Sequence, residues 1–357
     1  NIIGAIELSK DMTHIDNDEE NYQTNVVNEN GLEQNYTANY ILDDIIAVTP
    51  KMKKLKNKVK KIANSTSSVL IYGETGTGKE LFVQAIHNLS YRKFKPFIPV
   101  NCAALPENLL EGILFGSQKG AFTGAENKKG LFEEANQGTI YLDEVNSMPI
   151  NLQTKLLRTL QEKQIMPLGG SKPKKIDVRV IASTNQNPTK LIDSKIRKDL
   201  YYRLNVINLE IPPLRDRKAA IPVLADHFIK KYNHMLEKEV KEIDERVNDL
   251  FLAYQWPGNV RELEHVLEAS MNVVEGKVIK LEHLPVYMSE SESSFKTNID
   301  PLNNEIGPLN KMVENMERRL IKNALNKTDG NKSKASQLLE IPRTTLQYKI
   351  KKYKIEF

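Results

Sequence analysis

Cysteine is almost missing from this chain: Cys102 is the only one in 357 residues, so no intrachain disulfide can form. That fits a reducing compartment. The six histidines are scattered, with no metal-ligand spacing. No run of about 18 apolar residues occurs, so no transmembrane helix is expected. No basic segment leads into an apolar core, so secretion is not expected either. The expectation is a cytoplasmic protein with no membrane partner. The chain opens on Asn1 rather than Met, which leaves room for a preceding segment.

What is present is ordinary in bulk and uneven in place. Apolar content of 40% and charged content of 27% suit a water-soluble protein, and the length allows two or three cores. Net charge is +5, and residues 331–357 alone hold seven basic and two acidic residues. The last 27 residues thus carry an excess equal to that of the whole chain. Such a compact footprint suits nucleic acid; a solvated lysine-rich tail is the plainer alternative.

Residues 2–8 read as a short strand, and the Asn-, Asp-, Glu- and Gln-rich stretch 15–38 as a linker. Ser68–Tyr72 is a β-branched, apolar run ending at Gly73, as in a buried parallel strand. Thr139–Leu142 and Val178–Ala182 repeat that pattern, with a helical pattern (Leu81, Phe82, Ala85, Ile86) between. The alternation predicts a parallel α/β sheet. After Pro213 the strands stop, and 217–285 reads as wholly helical. A second Ser-, Glu- and Asn-rich linker follows. Then Leu309, Met312, Met316, Leu320 and Ala324 form one apolar helical stripe, suited to packing in a small domain or against a second copy.

Gly73-Glu74-Thr75-Gly76-Thr77-Gly78-Lys79 lies between the first strand and a helix. Its glycines let backbone N–H groups turn inward to cradle phosphates, the helix N-terminus adds positive potential, and Lys79 would reach the β- and γ-phosphates. The next residue is Glu80, where most such loops place Ser or Thr for magnesium. Thr139–Leu142 runs into Asp143, expected to coordinate Mg2+ directly or through water, and Glu144, expected to act as general base. Asn101, Thr184 and Asn185 stand near strand ends and could orient a water or sense the γ-phosphate; alone they would read as turn residues. Arg197 and Arg203 read alone as surface arginines. An arginine supplied by a neighbouring subunit would be worth roughly 10³–10⁵ in rate.

Between the two halves of the ATP site lies Gly120-Ala121-Phe122-Thr123-Gly124-Ala125. Glycines at both ends permit tight bends and hold Phe122 and Thr123 on a short arm built to touch something. Hydrolysis itself has no need of it.

Residues 73–80, 120–125 and Trp256–Leu263 (Trp-Pro-Gly-Asn-Val-Arg-Glu-Leu) together resemble the hallmark motifs of the bacterial enhancer-binding proteins. These are AAA+ ATPases that activate RNA polymerase carrying sigma-54. The resemblance spans about 40–285 and resumes at 306–357, and Glu80 is usual in that family. It implies an AAA+ α/β ATPase subdomain over 39–213, a helical lid over 214–285, a linker over 286–305 and a Fis-type helix-turn-helix domain over 306–357. It implies a nucleotide site of Gly73–Glu80 and Arg261, the last as sensor II. Asn101 with Glu144 would be a switch pair, and Thr184 and Asn185 sensor I. Arg197 and Arg203 would be fingers acting across a subunit boundary in a hexameric ring. Gly120–Ala125 would contact the sigma factor, with Glu133 coupling it to the ATP site. Departures fall beside that loop, at Ile113, Ser117 and Gln118, and at Ile196 and Lys198. Residues 4–13 resemble the closing strand of a PAS sensor, placing its remnant over 1–14.

Residues 331–341 read as a short helix and turn, and Pro342 begins a second helix, Arg343–Lys352. The pair suggests helix-turn-helix, with the second helix in the major groove. Arg343, Thr344, Thr345, Gln347 and Tyr348 are candidates for base or nearby phosphate contacts. Lys349, Lys351 and Lys352 suit phosphates, with Lys332 and Lys334 adding charge. Where the family carries Gly, this chain has Glu340. Pairing of two tails would imply a palindromic double-stranded site upstream of a promoter.

Two other classes fit parts of the chain: a repressor keeping the ATPase fold for oligomerisation, and an AAA+ replication initiator. The hexapeptide argues against both.

Overall fold

The computed structural model describes residues 26–27, 33–34, 37–121, 126–187, 195–288, 309–328, 330–353 and 355. The PAS-like segment, most of both linkers and the loop tip Phe122–Ala125 lie outside the described residues. The chain divides into two compact units, Asn1–Ser289 and Glu290–Phe357.

The first unit begins with α1 (Pro50–Ile62), β1 (Val69–Tyr72), α2 (Lys79–Asn88) and β2 (Phe97–Asn101). Then follow α3 (Glu107–Phe115), α4 (Leu131–Glu134), β3 (Thr139–Asp143), α5 (Ile150–Glu162), β4 (Arg179–Thr184), α6 (Lys198–Leu204) and β5 (Ile207–Glu210). The five strands form one parallel sheet in the order β2-β3-β4-β1-β5. Both faces are covered. Ile140 and Leu142 face a core with Leu110, Phe115, Leu152 and Leu200, while Tyr141 faces Met52, Val59, Phe82 and Ile86. The alternation follows from the two-residue period of a strand.

The three strands legible in the sequence are the interior ones, where burial on both faces forces continuous apolar runs. The two edges were not legible. β2 carries Pro99, which has no N–H for a ladder and so belongs at an edge. β5 reads Ile-Asn-Leu-Glu, the alternation of a half-solvated strand. The five strands of this sheet being parallel, the ends carrying Gly73, Asn101, Asp143 and Thr184 gather on one side of it, where α/β folds bind ligands.

The lid comprises α7 (Ile221–Leu236), α8 (Glu245–Ala253) and α9 (Asn259–Val273). Fully buried Trp256 anchors it, donating Nε1–H to the Phe251 carbonyl at 2.7 Å and meeting Phe251 and Tyr254 edge-on. The expectation of a wholly helical stretch needs one correction. Glu242–Ile243 and Val278–Ile279 form a parallel strand pair. Two residues are too few to show a strand period, so the sequence carried no signal for it.

Among the described residues the second unit is three helices: α10 (Leu309–Lys327), α11 (Lys332–Leu338) and α12 (Arg343–Lys352). Ile321, Leu325, Ala335, Leu346 and Tyr353 form its core. Asn331 caps α11 by accepting from the Ser333 and Lys334 amides. Glu340 in the turn has φ +52°, the left-handed region that glycine enters at no steric cost. Pro342 stands just outside α12 as its N-cap.

Candidate functional site

The phosphate cradle is shaped by backbone that only small residues allow. Gly76 and Gly78 have φ +77° and +92°. A Cβ on Gly76 would lie 2.1 Å from the Gly258 carbonyl, so the lid presses directly on this loop. Lys79 opens α2 and curls over the loop, donating to the Gly73 and Glu74 carbonyls at 2.9 and 3.2 Å. Burial pushes its pKa down; Asp143 and Glu144 push the other way, and Arg261 adds to the lowering. A half-buried ammonium beside glycine-lined backbone suits an anion. Thr77 Oγ1 donates to the Glu74 carbonyl at 2.7 Å. Glu80 instead accepts from Gln84 at 3.0 Å, and Gln84 accepts from the amides of Asn39 and Tyr40.

At the end of β3 the chain turns sharply, with Glu144 left-handed at φ +50°. That turn brings its Oε1 to the amide of Asn185 at 3.1 Å, joining the ends of β3 and β4. Asp143 Oδ1 accepts from the Tyr141 phenol, the Glu144 amide and the Ser183 hydroxyl. Asn101 lies in register with Asp143 and accepts from the Ala103 amide at 2.9 Å. Thr184 donates to Asn146 at 2.9 Å. Glu144 therefore pairs with Asn185 here, and Asn101 caps its own turn. The Cys102 thiol is pushed up to about 12, by burial first and then by Asp143 and Glu144.

The lid supplies residues whose roles sequence reasoning missed. Arg215 grips Glu74, and burial drives the Arg217 guanidinium down to about 10 as it donates to the Thr77 carbonyl at 3.0 Å. Asn259, left-handed at φ +55°, donates to the Thr75 carbonyl at 2.9 Å and accepts from the Leu214 amide at 2.8 Å. The Arg261 amide reaches the Gly76 carbonyl at 3.3 Å. Sequence offered one clue, the polar Tyr141 in an apolar strand; Arg215 and Arg217 carried none.

Arg197 and Arg203 stand elsewhere. Arg197 stands at the N-cap position of α6 and pairs with Asp199 at 2.8 Å, which holds its guanidinium above the usual range. Arg203 donates to the Leu160 carbonyl at the end of α5, at 2.9 Å. Arg197, Lys198, Asp199 and Tyr202 line one open recess.

The stem of the hexapeptide loop is well fixed. Gly116 and Gly120 have φ +82° and +92°. Ser117 and Lys128 exchange backbone hydrogen bonds at 3.0 and 2.9 Å, and the Ser117 hydroxyl donates to the Glu126 carbonyl at 2.7 Å. Gln118 N–H donates to Leu168, and Leu168 N–H to Gly116, both at 2.9 Å. Glu133 pairs with Lys174 at 2.8 Å. Ser117, unusual for the family, thus closes the stem from inside.

In the tail, Arg343, Thr344, Gln347, Tyr348, Lys351 and Lys352 are exposed on α12, with Thr345 half-buried, and Lys334 is exposed on α11. Lys349 pairs with Glu317 of α10 at 2.5 Å, so part of the expected phosphate-contacting charge is engaged in the tail's own packing.

Three family models match the chain in order. They are the Sigma-54 interaction domain over residues 45–210, the AAA+ ATPase lid domain over 215–300, and the bacterial regulatory protein, Fis family, over 312–353. The chain is 44% identical over 356 residues to the transcriptional activator RocR of Bacillus subtilis (strain 168), covering 99% of this chain and 75% of that protein. The chain belongs to the sigma-54-dependent transcriptional activators. It is also 42% identical to the regulatory protein AtoC of Escherichia coli (strain K12), covering 91% of this chain and 71% of AtoC. A signal-transduction and transcriptional-control protein of Clostridium beijerinckii is 42% identical as well; the chain covers 54% of its length. Among solved structures, NtrX from Brucella abortus in complex with ATP superposes with a TM-score of 0.64 at 30% identity, over 87% of this chain and 69% of NtrX. The ADP complex of NtrX gives 0.65. As a member of this family, the chain combines an AAA+ P-loop ATPase domain with a Fis-type DNA-binding region. Among the described residues no helix is long and apolar enough to cross a membrane.

Proposed function

We propose that this chain hydrolyses ATP and spends the energy on remodelling the closed complex of sigma-54 RNA polymerase through Gly120–Ala125. The observation that carries the reading is the convergence of the Gly73–Lys79 cradle, Asp143, Glu144 and Asn185 at one end of the sheet. That NtrX takes up ATP and ADP supports a nucleotide there. Lys79 would leave the Gly73 and Glu74 carbonyls for the β- and γ-phosphates. Glu144, steadied by Asn185, would take a proton from the attacking water.

The residues present fit magnesium. Asp143 offers one carboxylate, and among the described residues no cluster of three or more His, Cys, Asp or Glu could cage a metal. Magnesium suits such a site because it keeps waters and takes phosphate oxygens with one or two carboxylates. When bound, it would neutralise charge on the β- and γ-phosphates.

Arg197 and Arg203 bond Asp199 and the Leu160 carbonyl rather than cradle residues, and would act as fingers on a neighbour in a hexameric ring. The exposed residues of α12 would enter the major groove of upstream DNA. Val313, Met316 and Leu320, exposed along α10, would pair two tails on a palindrome. Half-sites would then lie about one helical turn, roughly 34 Å, apart or a multiple of it. The test is Glu144→Gln. It should keep ATP binding and lose about 10²–10⁴-fold in turnover; unchanged turnover would remove Glu144 from the mechanism.

A further inference from the structure

Asp143 Oδ1 receives three donors: the Tyr141 phenol at 2.8 Å, the Glu144 amide at 3.1 Å and the Ser183 hydroxyl. Among the described residues none donates to Oδ2. Tyr141 and Ser183 are 3% and 0% exposed, and their hydroxyl oxygens lie 3.2 Å apart. The strand register explains the meeting. Tyr141 and Asp143 are two residues apart on one face of β3, and Ser183 follows Ala182, the β4 partner of Leu142.

Buried hydroxyls cost free energy unless they are paired. Phenylalanine and alanine would fill these places without that demand. Here each hydroxyl gives its one proton to the same carboxylate oxygen, and Ser183 Oγ accepts from the Glu144 amide at 3.3 Å.

We propose that Tyr141 and Ser183 are positioning residues for the nucleotide's magnesium: by locking Oδ1 they fix the Asp143 carboxylate so that Oδ2 is presented to the metal. The inference rests on the reading of Asp143 as the metal-holding residue. Partners that orient a metal ligand from behind typically change metal affinity about 10–100-fold when removed.

The experiment uses the full chain in excess over ADP, with Mn2+ as probe and free Mn2+ read by electron paramagnetic resonance. Tyr141→Phe and Ser183→Ala are compared with wild type. Ser270→Ala, which removes a buried lid hydroxyl bonded to the Val266 carbonyl, is the control. ADP affinity in EDTA is measured for each. The expected result is Mn2+ binding weakened at least about tenfold in both variants, with ADP affinity in EDTA and the Ser270→Ala control unchanged. Wild-type Mn2+ affinity in the variants overturns the positioning role and leaves Asp143 in place. A parallel fall in ADP affinity without metal also overturns it, since the hydroxyls would then serve only the shape of the site. Wild type that binds Mn2+ no better than free ADP overturns the Asp143 reading, and this inference with it.

Discussion

Arg215 holds Glu74 through both terminal nitrogens, Nη1 to Oε2 at 2.7 Å and Nη2 to Oε1 at 2.5 Å. One residue begins the lid and the other lies inside the phosphate loop, so their pairing fixes lid against cradle. Both are about a third exposed, so solvent screening limits the pair to about 1 kcal/mol. Arg215→Ala should therefore weaken nucleotide binding about fivefold in equilibrium titration; unchanged affinity would show that the clamp does not shape the site.

The same pair sets a pH dependence. The Arg215 hydrogen bond holds the Glu74 pKa below its usual value. A depressed folded-state pKa contributes stability above the unfolded pKa, roughly 4.3, and loses it as pH falls through the folded value. The stability difference between wild type and Arg215→Ala should be constant near neutrality and vanish in acid, as read by denaturant unfolding. A difference that grows on acidification would contradict the assignment.

How much of this was legible beforehand depended on the range of the contacts. The cradle, Asp143 and Glu144 are local signals, a glycine spacing and an apolar run ending in acid. The interior strands were legible because burial on both faces forces apolar residues; β2 and β5 were not, being edges. Arg215 and Asn259 were opaque as partners of the cradle, because each meets it across more than a hundred residues. Glu340 was visible as a departure from the family, but its left-handed backbone gives the departure a physical meaning.

That backbone yields a prediction for the tail. Glu340→Gly relieves a strained φ at some cost in unfolded-chain entropy, for a net gain of about 0.5–1 kcal/mol. The Leu346 amide, which donates to the Pro342 carbonyl at the start of α12, should then exchange with solvent about two- to fivefold more slowly. Faster exchange would mean that the Glu340 side chain, not its φ, matters.

Cys102 should be inert. Buried, with its thiol pushed up to about 12, it holds almost no thiolate at pH 8. A disulfide-exchange reagent should label the native chain only at the rate of unfolding, and the denatured chain at once. Rapid native labelling would contradict the burial of the β2 end.

The loop stem offers a finer probe. Ser117→Ala removes the hydroxyl that donates to the Glu126 carbonyl without touching the cradle. Open-complex formation should fall several-fold more than ATP turnover, measured side by side. An equal fall in both would place Ser117 in the general stability of the fold.

The role of the loop as output arm is tested by Phe122→Ala, with ATP turnover and open-complex formation measured on one sigma-54 promoter. Turnover should be retained while open complexes are lost. Open complexes that still form, with only turnover reduced, would contradict it.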